Sequence, residues 1–173
     1  MEAALNRREL LKAFTAAAFT TLQLPAADPS APLFFTRDEF ALLDTLTELL
    51  IPTDEHSPGA HAAGVAAYID RSVAEAFLPE EKTSWRKGLA SLDELSKSMH
   101  DMPFKTASEQ QKTALLTKIA AAEHNPQSDA EKFFKQLKQT TAFVYYSSSV
   151  GIHQDISYKG NVILEQFVGY DAT

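Results

Sequence analysis

At 173 residues, with 45% hydrophobic side chains, the chain has the length of one domain and enough apolar content for a core. Its net charge of −7 excludes a nucleic-acid partner, because there is no basic patch to neutralise phosphates. The lack of any cysteine excludes a disulfide framework, a thiolate metal site, a cysteine nucleophile and a Cys-x-x-Cys-His haem attachment.

The N-terminus reads NRRELLK and then AFTAAAFTTLQL. Arg7 and Arg8 stand before a mildly apolar run, Ala13 to Leu24. That run is too short to span a bilayer, which takes about 20 apolar residues. Small residues and prolines follow, in LPAADPSAP. A charged start, a short apolar run and a small-residue cleavage zone describe an export signal. Paired arginines ahead of it indicate the twin-arginine route. Arg7, Arg8, Leu10, Leu11 and Lys12 resemble the twin-arginine consensus, with Leu10 where phenylalanine is commoner. The competing reading is an amphipathic N-terminal helix with two surface arginines. On the export reading, residues 1–27 are the signal and 28–173 the mature domain, with Ala26, Ala27 and Ala31 as alternative cleavage points. The route carries folded cargo: proteins loaded with a cofactor in the cytoplasm, or their bound companions. The expected location is the periplasm.

Helix signals dominate the rest. Thr36 to Glu39 is a capping box, and Phe40, Leu43, Leu46 and Leu50 follow it at helical spacing until Pro52 ends the helix. The loop IPTDEHSPGA turns at Pro58-Gly59. Val65, Ile69, Val73 and Phe77 then recur every four residues, predicting a second helix with these four on one stripe. Pro79 opens a third helix, whose buried stripe is Trp85, Leu89, Leu92, Leu95 and Met99. Ser108 to Gln111 and Ser128 to Glu131 are further capping boxes. The first starts a helix with Leu115, Leu116 and Ile119, ended by Asn125-Pro126. The second starts one carrying Phe133, Phe134, Leu137, Phe143 and Val144. SSSVGIHQDISYKGN has few helix signals. The expected fold is all-α: a compact single-domain bundle of about five helices with an irregular C-terminal segment.

Few residues carry chemistry. No G-x-G-x-x-G, P-loop, G-x-S-x-G or H-E-x-x-H occurs. The densest polar cluster is Thr53-Asp54-Glu55-His56 with His61 beyond it. It offers carboxylates and imidazoles to a metal, but its spacing equally suits a solvated loop with helix-capping acids. Asp70-Arg71 reads as a surface pair. Tyr145-Tyr146 followed by serines suits an interface, and equally a core position with the hydroxyls at the surface. Gly151 and Gly160 fit backbone turns.

Three stretches carry a family resemblance. LLDTLTELLIPTDEHSPGAHAAGVAAYID, FFKQLKQTTAFVYYSSSVG and YKGN, in this order, resemble the signatures of the gluconate 2-dehydrogenase subunit 3 family. The resemblance implies a small, non-catalytic subunit with no cofactor of its own. Its partner would be a large FAD-binding dehydrogenase of the glucose-methanol-choline class acting on a sugar or polyol. The small chain would stabilise that partner and lend it the export signal read by the twin-arginine translocase. Electrons would pass on to a cytochrome c subunit, with haem c, or to another acceptor. Membrane association would come through partner subunits. The implied contact surface is the loop with Pro52, Thr53, Asp54 and Pro58, together with the segment carrying Tyr145, Tyr146, Gly151, Tyr158, Lys159 and Asn161. Two other readings compete: a stand-alone periplasmic helical binding module, and a stand-alone enzyme using the Asp54 to His61 loop.

Overall fold

Capping chemistry sets where the helices begin. In the computed structural model, which describes residues 31–158 and 160, all three expected capping boxes form. Helix α1, Arg37–Leu50, starts where the Thr36 hydroxyl accepts the Glu39 amide and the Glu39 carboxylate accepts the Thr36 amide at 2.8 Å. Helices α2, Val65–Glu75, and α3, Pro79–His100, follow. A 3₁₀ turn at Phe104–Thr106 leads to α4, Glu109–Ala120, capped by Ser108. The chain turns over 121–125, so α4 stops ahead of the expected Asn125-Pro126. Helix α5, Asp129–Ser147, is capped by Ser128. The segment expected to be irregular carries a π-helical turn, Gly151–Asp155. The described residues contain no strand and form an all-α bundle of five α-helices.

Helix α5 packs against each of the other four α-helices and is the centre of the bundle. Its length of 19 residues supplies Phe133, Phe134, Leu137, Val144 and Tyr145 to the core. Close approach to α3 is possible because Gly88 has no side chain: a Cβ there would lie 2.0 Å from the Phe133 ring. Around this crossing, Phe35, Trp85 and Phe133 stack edge to face, with ring centroids 6.4 and 5.5 Å apart along the row.

Asp70 is not the surface residue that its pairing with Arg71 suggests. It is 3% exposed on α2. Its carboxylate accepts three consecutive amides, from Leu33 at 2.5 Å, Phe34 at 3.0 Å and Phe35 at 2.9 Å. This bent strap has no helical partner for its amides, and a buried carboxylate needs donors to replace lost water, so each satisfies the other. From α3, Arg86 clamps the other side of the strap. Its guanidinium donates to the Phe34 carbonyl at 2.9 Å and lies 4.3 Å from the Phe34 ring centroid. The entry of the chain into the bundle is therefore fixed from two helices.

Phe77 is also displaced from its expected place. Helix α2 ends at Glu75, and Ala76 turns out of helical conformation at φ −56°, ψ 130°. Pro79 opens the next helix and biases the residue before it to extended backbone. The period of four is thus broken before it reaches Phe77, which is 96% exposed.

The strap makes a direct prediction. Asp70→Ala leaves three amides without their acceptor and should cost about 2–3 kcal/mol of stability, with Asp70→Asn between it and wild type. Urea unfolding of the full-length chain checks this; equal midpoints for all three proteins would contradict the anchoring role.

Candidate functional site

The loop Pro52 to Ala60 is built on a carboxylate that the sequence gives no reason to single out. Glu48 lies in the last turn of α1, where an acid opposes the helix dipole. Its position is explained by what it accepts. Oε1 takes the Thr53 amide at 2.8 Å and the Thr53 hydroxyl at 2.9 Å, and Oε2 takes the His61 amide at 2.8 Å. Both ends of the loop are thereby tied to one side chain. Burial pushes the Glu48 carboxyl up, but the His61 and Thr53 amides and the Thr53 hydroxyl outweigh it, so its pKa lies below the ordinary 4.5.

Asp54 organises the inside of the loop. Its Oδ1 accepts the amides of His56 and Ser57, both at 2.8 Å, and its own amide donates to the Ser57 carbonyl at 3.0 Å. These two amides hold the Asp54 carboxyl below its usual value. Gly59 sits where nothing larger fits. Its amide donates to the Thr53 hydroxyl at 2.9 Å, and a Cβ would lie 2.5 Å from the Thr53 nitrogen and from both Glu48 oxygens. Ala60 closes the base, its amide donating to the Ile51 carbonyl at 2.9 Å.

The second expected segment meets this loop through one side chain. Tyr145 is fully buried, so it is not an exposed anchor. Its hydroxyl donates to the Pro58 carbonyl at 2.7 Å and is also hydrogen-bonded to the Ser57 hydroxyl. The ring belongs to the core while the hydroxyl pins the loop, joining the last turn of α5 to the link between α1 and α2. Tyr146 is 47% exposed and meets the Tyr145 ring edge to face at 5.2 Å. Burial and the neighbouring Asp155 carboxylate, which accepts its hydroxyl, raise the Tyr146 pKa. Gly151, the first residue of the π-helical turn, is buried. Tyr158 is 48% exposed, and Pro52, Thr53 and Asp54 are exposed, whereas Pro58 is half-buried. Lys159 and Asn161 lie outside the described residues, as do Arg7, Arg8, Leu10, Leu11 and Lys12.

The polar cluster does not converge as a metal centre. His56 pairs with Glu55 at 3.2 Å, and His61 Nδ1 lies 2.8 Å from Asp44 on α1. Among the described residues, no group of three histidine, aspartate or glutamate side chains is placed to hold an ion. The acids and hydroxyls of this loop shape backbone, and the arrangement is a pre-formed surface.

A family model described as gluconate 2-dehydrogenase subunit 3 matches residues 37–162. The chain belongs to this family. No curated protein and no solved structure matches the chain. The matched residues run from the first residue of α1 past the π-helical turn, so they take in both the Glu48 loop and the Tyr145 contact. The family's description makes it a subunit of a dehydrogenase.

The residues missed in the sequence are Glu48 and Ser57; Gly59 is read there as part of the turn, but not as the point of closest approach to Glu48.

Two outcomes test the loop. Tyr145→Phe removes the donor to Pro58 and should cost about 1 kcal/mol, with faster hydrogen exchange at the Ser57 and Gly59 amides; unchanged exchange would show that the hydroxyl does not hold the loop. Glu48 contributes stability that is complete above its ordinary 4.5 and is lost as pH falls through its lower folded value. Melting temperatures from pH 7 down to pH 3 should therefore drop less in Glu48→Gln than in wild type; parallel curves would contradict the role of the carboxylate.

Proposed function

We propose that this chain is the non-catalytic small subunit of a periplasmic FAD-dependent sugar or polyol dehydrogenase. It binds and stabilises the catalytic flavoprotein of the glucose-methanol-choline class and supplies the pair with a twin-arginine export signal. The observation that carries this reading is the family match over residues 37–162, in a chain that also holds the Arg7-Arg8 run ahead of the matched region. The geometry supports it. The Asp54 and Glu48 carboxylates are committed to backbone amides of the loop, and Tyr145 is committed to the same loop. Such a loop keeps its shape before a partner arrives, which lowers the ordering cost of association. The flavin resides in the partner, and electrons leave through a cytochrome c subunit or another acceptor.

Export in company makes a specific prediction. Arg7→Lys/Arg8→Lys should strand both this chain and the flavoprotein in the cytoplasm, read as loss of dehydrogenase activity from the periplasmic fraction with activity retained in whole lysate. Periplasmic flavoprotein in undiminished amount would contradict the escort role.

A further inference from the structure

Four of the large apolar side chains that the fold leaves in water lie in or beside one groove between α2, α3 and α5. Phe77 is 96% exposed, Phe143 66%, and Tyr68 and Leu78 56% each. Tyr68 on α2 and Phe143 on α5 line one groove of about 180 Å³, over the buried Val73 and Trp85. The first turn of α3 supplies Glu81 to the same groove, so the link carrying Phe77 and Leu78 adjoins it. Glu81 is the one charged side chain among the groove's lining residues. Four such side chains present on the order of 500 Å² of mostly apolar surface, at roughly 200 Å² for a fully exposed aromatic. Monomers rarely keep contiguous apolar patches beyond a few hundred Å². Each partner in a standard interface buries about 800 Å², so the strip supplies over half of one side.

We propose that this strip is where the flavin-binding dehydrogenase subunit docks, an inference that rests on the functional reading above. Charge selects the occupant. Glu75 and Glu81 flank Phe77 and Leu78 in the chain, and Glu81 lines the groove itself, which sets acidic charge beside the aromatic strip. A second copy of this chain would bring another net −7 against it, whereas a partner with an apolar pocket edged by lysine or arginine complements both features. Membership of a dehydrogenase subunit family makes the dehydrogenase's own large subunit that partner. Phe77 and Phe143 are the anchors, because a large exposed ring entering a pocket concentrates binding energy.

The test uses the full-length tagged chain expressed from its native operon. Capture is read as flavin absorbance and sugar dehydrogenase activity in the eluate. Phe77→Ser/Phe143→Ser should reduce captured flavoprotein at least tenfold while leaving the chain's own melting temperature unchanged. Equal capture by wild type and variant overturns the docking surface alone. A wild-type chain that captures no flavoprotein overturns the functional reading and the surface with it. A wild-type homodimer that light scattering finds dissolved by the variant assigns the strip to a second copy and overturns the proposal. So does a melting temperature lowered equally by the variant and by deletion of 161–173, which would mean that the chain's own C-terminal segment covers the strip.

Discussion

One helix has to satisfy every other element at once. Helix α5 touches α1, α2, α3 and α4, and seven of its side chains are buried among them. That constraint explains several local features. Gly88 must be small so that the Phe133 ring can sit against α3. Trp85 bridges Phe133 to Phe35, so the entering strap joins the same core. At the far end of α5, Tyr145 has its ring in the core and its hydroxyl on the Pro58 carbonyl. A disturbance of the centre therefore reaches the loop, and the loop's shape is underwritten by the core.

The polar groups divide their work in the same economical way. Two buried or half-buried carboxylates each hold a stretch of backbone that has no secondary structure. Asp70 holds the strap at Leu33 to Phe35, and Glu48 holds both ends of the loop between α1 and α2. A bundle of helices needs such acceptors, because connecting segments carry amides that no helix can satisfy. The result is a small domain whose irregular parts are ordered by side chains rather than left free.

The capping boxes made most of the helix starts legible, because their chemistry is local: Thr36 with Glu39, Ser108 with Gln111 and Ser128 with Glu131 need only a spacing of three. Stripes such as Leu43 and Leu46, or Leu89 and Leu92, were legible for the same reason. What could not be read locally depends on partners far away in the chain. Asp70 finds its donors more than 30 residues upstream, and nothing in Asp70-Arg71 announces them. Tyr145 finds Pro58 across 87 positions, so its place in the core rather than on the surface was one of two open readings. Phe77 continued a period of four on paper, but Pro79 two residues later limits how far the helix can run. The π-helical turn after α5 was hidden because Ser148 and Gly151 carry no helix signal; Ser148 holds it by bridging the Tyr145 carbonyl and the Gly151 amide.

The central claim is that this domain exists to be one half of a flavoprotein complex. The most direct measurement is the mass and absorbance spectrum of the particle that contains the native, untagged chain, isolated from periplasm under gentle conditions. The account predicts a particle holding this chain with one larger polypeptide, a bound flavin in stoichiometric amount and dye-linked sugar dehydrogenase activity. A colourless, monodisperse particle with the mass of this chain alone would contradict it.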